Sequence, residues 1–100
     1  MTRRRASEQE IDEALEALPG WSIKDGKLHK GYKFDSFAQA LGWMVIVGVQ
    51  ADKMNHHPDW SNVYNKVTVN LSTHDMDNAI STWDLELAEK MEAAAGNNGG

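Results

Sequence analysis

Apolar positions along this chain alternate between two periods, and the switches between them mark its elements. Ile11, Leu15 and Leu18 recur at helical spacing behind Ser7 and Glu10, a pair that forms a capping box. Pro19-Gly20 closes this first helix, because proline cannot continue the hydrogen-bond ladder and glycine accepts a left-handed turn. Residues 21–24 then read as a short strand. Asp25-Gly26 is a two-residue hairpin signal that pairs Ile23 with Leu28. Over residues 27–34 Leu28, Tyr32 and Phe34 share one face, and Lys27, His29 and Lys33 the other. A second helix, capped by Asp35 or Ser36, carries the stripe Phe37, Leu41, Met44, Val45 and Gly48 and runs to about Met54. Trp43, Ile46, Val47 and Val49 make it apolar nearly all round, so it is expected between a sheet and a partner surface. Asn55 caps its end, and Pro58 forbids continuation.

Trp60, Val63 and Tyr64 predict a third strand, with a turn at Asn65-Lys66. Val67, Val69 and Leu71 alternate with Thr68, Asn70 and Ser72 in a fourth. After a polar loop over 73–78, Ser81 and Asp84 form a second capping-box pattern, with Ile80 and Leu85 as its hydrophobic staple. Leu87, Ala88, Met91 and Ala95 continue that helix. The order is α-β-β-α-β-β-α. It predicts an α+β fold, a four-stranded antiparallel sheet with three helices packed on one face. Residues 1–100 are expected to form a single domain, with 1–6 and 96–100 as frayed tails.

Charge narrows the partners. The formal net charge is −5, with 10 Lys and Arg against 15 Asp and Glu. Arg3, Arg4 and Arg5 stand together; without them seven positive charges face 15 negative ones, a balance of −8. So acidic a body is a poor ligand for phosphate backbones or anionic membranes, which argues against nucleic acid and membrane partners. The arginine run precedes acidic residues rather than an apolar segment, and reads as a solvated tail rather than a signal peptide. No cysteine is present, which excludes disulfides, thiolate metal sites and a thiol nucleophile. The longest apolar run, 40–49, is far short of the roughly 20 residues of a membrane span. A cytoplasmic protein is expected.

Candidate chemistry concentrates in the histidines. Three of the four, His56, His57 and His74, fall within one 19-residue window. His56 and His57 follow the C-terminus of the second helix, whose dipole favours imidazolium. Asp52, one turn before His56, can orient or charge-pair an imidazole. Pro58 stiffens the loop and Trp60 supplies an apolar wall. A turn at Asn65-Lys66 pairs Tyr64 with Val67 and Trp60 with Leu71, and sets His57 opposite His74. Such a group can serve as surface side chains, as a metal site, or as general acids and bases. Spacing disfavours metal, since no helical His-x-x-x-His or strand His-x-His is present. No glycine-rich loop follows a strand, and no serine is placed as a nucleophile. Proton traffic on a small ligand is the chemistry that remains. Trp43 and the 44–49 run are assigned to core or subunit contact, Trp83 to packing, Asp84 first to helix capping, and His29 to no role.

With these residues in hand, the chain resembles the pterin-4a-carbinolamine dehydratase family over about residues 21–88. The likeness rests on Asp52-Lys53-Met54-Asn55-His56-His57-Pro58-Asp59-Trp60, on Asn62-Val63-Tyr64-Asn65-Lys66-Val67 and on Leu71-Ser72-Thr73-His74, and extends to Lys30-Gly31-Tyr32-Lys33-Phe34. The resemblance implies dehydration of 4a-hydroxytetrahydropterin to quinonoid dihydropterin in tetrahydropterin recycling, a lyase reaction with no metal and no bound cofactor. It implies that His56, His57 and His74 bind the pterin and move its protons. It further implies that Asp52, Pro58, Trp60, Thr73 and Asp75 shape or bind the substrate site, and that the chain forms a homodimer or homotetramer. Some relatives act instead as partner proteins, in transcription-factor dimers or enzyme assembly, so a non-catalytic binding role is the alternative. Three positions depart from the family pattern: Asp52 is shorter than the usual glutamate, Asn55 replaces a frequent aspartate, and the 75–79 loop lacks a Gly-Gly and is one residue longer.

Overall fold

The computed structural model describes residues 3–97, a four-stranded antiparallel sheet covered on one side by helices. Chain order is α1 (Glu8–Ala17), β1 (Ser22–Lys24), β2 (Lys27–Lys33), α2 (Phe37–Met54), β3 (Asp59–Val63), β4 (Lys66–Leu71), a 3-10 turn (His74–Met76) and α3 (Thr82–Asn97). In space the strands run β1-β2-β4-β3, so β2 and β4 form the centre and β3 an edge. The expected fold class and element order are those observed.

Local signals explain most boundaries. Ser7 accepts from the Glu10 N–H at 3.1 Å while the Glu10 carboxylate accepts from the Ser7 N–H at 2.9 Å, a complete capping box. Arg4 pairs with the same carboxylate and, with the Ser7 amide, holds Glu10 down to about 2. Gly20, at φ 83°, makes the left-handed turn after α1. Asp25 and Gly26 both take positive φ in the first hairpin, where Ile23 pairs with Leu28 as expected. Ser36 caps α2 by accepting from the Gln39 N–H.

The core lies between the sheet and the helices. Leu28, Tyr32, Val67, Val69 and Leu71 face inward and are buried, whereas Gly31, Lys33 and Thr68 on the other face are exposed. Each buried aliphatic side chain is worth about 1.5–3 kcal/mol relative to exposure. Trp43 of α2 is fully buried at the centre, 4.5 Å from the Tyr32 ring, 5.3 Å from Phe34 and 5.8 Å from Trp60, and its indole N–H donates to the Met91 carbonyl of α3. The opposite side of α2 is open: Phe37, Leu41, Val45, Ile46 and Val49 are roughly half exposed. Ile11, Ala14 and Leu15 of α1 pack against the margin of the core.

Lys30 breaks the alternation of β2, since it stands on the inward face. Its ammonium reaches the core margin and donates to Glu92 of α3 at 2.6 Å and to the Pro19 carbonyl at 2.7 Å. The same Glu92 oxygen accepts from the Trp21 indole at 3.1 Å and from the Tyr32 hydroxyl. Burial and the bond to Glu92 push the Tyr32 phenol well above its ordinary range.

Two expectations are corrected. The second hairpin turns at Tyr64-Asn65, so Val63 pairs with Lys66 and Trp60 with Val69, not Leu71. Asn65 is held to the end of β2, with its carbonyl accepting from the Phe34 N–H at 2.8 Å and its side-chain amide donating to the Phe34 carbonyl at 2.9 Å. That anchors Asn65 in line with β4 and leaves Tyr64, at φ 53°, to reverse the chain. The pairing moves by two residues on one strand, so Val67, Val69 and Leu71 still face inward. Carried past the strand ends, this register sets His57 across from Ser72 rather than His74. The second correction concerns the amino-terminal segment. Residues 3–6 do not fray: the Ala6 N–H donates to the Ile80 carbonyl, the Thr82 N–H donates to the Arg4 carbonyl, and Arg5 bridges to Ser81. Residues 96 and 97, expected in the carboxy-terminal tail, belong to α3; positions 1–2 and 98–100 lie outside the described residues.

Candidate functional site

The site begins where α2 ends. Asn55 adopts the left-handed conformation at φ 53°, and the His56 N–H donates back to the Ala51 carbonyl at 3.0 Å. This six-to-one bond is the signature of a Schellman stop. The chain turns there, so adjacent histidines part: His56 points into the protein and His57 out of it.

His56 is only 6% exposed, and its Nε2 lies 2.5 Å from Oδ1 of Asp84, which is fully buried. The other Asp84 oxygen accepts from the Ser81 N–H and the Thr73 hydroxyl, both at 2.8 Å. Thr73 and Ser81 hydroxyl oxygens are 2.6 Å apart. With the single Thr73 proton committed to the carboxylate, the Ser81 hydroxyl supplies the proton of that contact. Ser81 Oγ accepts in turn from the Trp83 N–H. Asp84 sits in the first turn of α3, where the positive end of the helix dipole favours a carboxylate. The capping residue read from sequence is therefore also the anchor of His56, across 28 residues of chain.

His57 is exposed, and its Nε2 lies 3.3 Å from Oδ1 of Asp52. Asp52 thus meets His57 rather than His56, one turn of helix plus the reversal at Asn55. His74 opens the 3-10 turn and is exposed. Among the described residues no hydrogen bond or ring contact joins His57 to His74. The link between the two segments is indirect, from His56 through Asp84 to Thr73, the residue before His74. Thr73 is fully buried with its hydroxyl engaged, and Asp75 pairs with Arg3 at 2.8 Å. Pro58 and Trp60 are half-buried, Trp60 against the core side of the site.

Sequence reasoning assigned Trp83 to packing. Its ring meets the His56 imidazole edge-on at 5.9 Å, and with Lys53, Met54 and Glu86 it lines a cleft of about 300 Å³. No local pattern announces this, because the partners come from opposite ends of two helices. A second cleft, lined by Arg5, Ile11, Ile23 and Ile80, lies between α1 and the first hairpin, away from the histidines. Among the described residues no group of three or more His, Asp or Glu side chains is arranged to hold a metal ion. Nor is any helix among them long and apolar enough to cross a membrane.

These features define a small α+β domain with one imidazole fixed on a buried carboxylate and two exposed imidazoles nearby in the chain, an arrangement suited to proton transfer or ligand binding. Comparison with known proteins gives the family. Residues 4–94 match the family described as Pterin 4 alpha carbinolamine dehydratase. A protein of Solibacter usitatus named "Putative pterin-4-alpha-carbinolamine dehydratase" is 45% identical over 91 residues, covering 91% of this chain and 95% of that protein. One of the same name from Brucella ovis is 43% identical over 98 residues, covering 96% of this chain and all of that protein. The crystal structure of a transcriptional coactivator/pterin dehydratase from Brucella melitensis superposes with a TM-score of 0.85 at 41% identity, covering 92% of this chain and 99% of that one. The chain belongs to the pterin-4a-carbinolamine dehydratase family.

Proposed function

We propose that the protein dehydrates 4a-hydroxytetrahydropterin to quinonoid dihydropterin, with histidines as general acid and base. The reaction breaks the C4a–O bond. One imidazolium gives its proton to the departing hydroxyl, which leaves as water, and a neutral imidazole takes a proton from a ring nitrogen, so protons balance. His57 and His74 are exposed and suited to meet substrate, with Asp52 orienting His57. His56, held by Asp84, completes the set from beneath, and Trp60 and Pro58 wall the site. Thr73 and Asp75 act there through Asp84 and the His74 turn. The observation that supports this most is the buried carboxylate of Asp84, which ties the 52–57 and 73–75 segments together. No metal and no bound cofactor enters this mechanism.

The half-exposed apolar face of α2 supports a further part of the reading, a homodimer or homotetramer, since burying such a face is favourable. A cysteine-free chain fits a cytoplasmic setting. Purified protein is expected to accelerate loss of 4a-hydroxytetrahydropterin, and His57→Ala or His74→Ala to lower the rate about 10²-fold or more. An unchanged rate in both variants overturns the assignment. The name coactivator on the Brucella melitensis structure favours one second reading, a binding partner without turnover. A stoichiometric partner from a pull-down, together with no dehydration, would select it.

A further inference from the structure

The arginine run read from sequence as a solvated tail has one member bound into the site region. Arg3 Nη2 donates to Asp75 Oδ1 at 2.8 Å, and the Arg3 guanidinium lies 4.9 Å above the centre of the Trp83 ring. Asp75 directly follows His74 within the 3-10 turn, and Trp83 contacts His56 edge-on. Arg3 therefore holds one of the two segments that Asp84 joins, through Asp75, and reaches the other only by way of Trp83, which contacts His56. Its backbone is brought there by a strap: Arg4 and Ala6 hydrogen-bond to Thr82 and Ile80, on the approach to α3. Arg3 Nε is buried without a hydrogen-bond partner, so the ion pair and the stacking hold the side chain in place against the cost of a stranded donor. The neighbouring arginines do otherwise. Arg4 turns to Glu10 of α1, at 2.6 Å, and Arg5 faces the other cleft.

We propose that Arg3 is a positioning residue, which clamps the His74 turn through Asp75 onto the Trp83 wall and so fixes His74 relative to His56. The kinetic part rests on the dehydratase reading above; the positional part does not. A planar guanidinium suits the task because it can stack on the indole and donate to a carboxylate at once. An exposed ion pair and one cation–π contact are individually modest, so the effect is graded rather than all-or-none.

The test compares wild type, Arg3→Ala, Arg3→Lys and Arg4→Ala in the full chain. Amide resonances and amide hydrogen exchange are followed by NMR without ligand, and kcat and KM with 4a-hydroxytetrahydropterin. In Arg3→Ala the amides of 74–77 are expected to shift and exchange at least threefold faster. Its kcat is expected to fall about three- to tenfold, with KM changed less than twofold. Arg3→Lys, which keeps the charge but not the planar fork that stacks on Trp83, is expected to recover only part of both. Arg4→Ala, which removes an ion pair of comparable exposure elsewhere, is expected to leave 74–77 and kcat as in wild type. Unchanged 74–77 amides in Arg3→Ala overturn the positioning role. So does a kcat equal to wild type, or an equal loss in Arg4→Ala. A wild type without turnover rejects the dehydratase reading instead, and the NMR comparison then decides the clamp alone.

Discussion

Asp84 is the residue on which most of the site's geometry converges, and its removal has a calculable cost. Asp84→Ala deletes the acceptor for the His56 Nε2–H, the Ser81 N–H and the Thr73 hydroxyl, all in a fully buried setting. A stranded buried donor costs about 1–3 kcal/mol. The three costs overlap, because Thr73 can turn to Ser81, whose hydroxyl lies 2.6 Å away. Three such costs, partly overlapping, are expected to sum to about 3–5 kcal/mol. Against a total of about 5–15 kcal/mol for a domain, such a loss brings the variant near unfolding. The fall in Tm is expected to exceed about 12 °C, at roughly 4 °C or more per kcal/mol for a domain of this size. Asp84→Asn separates charge from hydrogen bonding. Its amide oxygen can serve Ser81 and Thr73, while its NH2 faces His56, which accepts in its other neutral tautomer. A loss of about 1–2 kcal/mol is expected for that variant. Urea titration by circular dichroism at one fixed protomer concentration measures both, the fixed concentration keeping the mass-action contribution of assembly comparable between variants. A cost for Asp84→Ala below about 1 kcal/mol, or equal costs for both variants, would refute the reasoning.

Three further outcomes are expected elsewhere in the molecule. Burial pushes the Glu92 carboxyl up, but hydrogen bonds from Lys30, Tyr32 and Trp21 outweigh it and leave it below its usual 4.5. A depressed folded-state value contributes stability above the ordinary carboxylate range that is lost as pH falls through the folded value. Urea midpoints should therefore drop on acidification, and Glu92→Gln should flatten that drop; parallel curves would count against it. Val45→Glu on the exposed face of α2 should leave the protomer folded yet shift sedimentation toward smaller species, because a charge would enter a desolvated contact. Tyr64→Asn should stabilise by about 0.5–1 kcal/mol in urea, since Asn tolerates positive φ better than an aromatic residue does.

The sequence alone determined the elements and their order, because those depend on neighbours in the chain. The capping box at Ser7, the Asp84 half of the one at Ser81, the Asp25-Gly26 turn, the Asn55 stop and the alternation of β4 are all local, and each stands where its residues predict. It also determined the motif histidines and the family they point to. Tertiary structure decided what depends on a third partner. The second hairpin turns at Tyr64-Asn65 because Phe34, at the end of β2 and 31 residues earlier, holds Asn65. Asp84 reaches His56, and Arg3 reaches Asp75 and Trp83, only once α3 lies against the end of α2 and the amino-terminal strap lies against α3. Periodicity reports which way a side chain faces, and carries no record of which distant carboxylate or guanidinium the folded chain will bring to it.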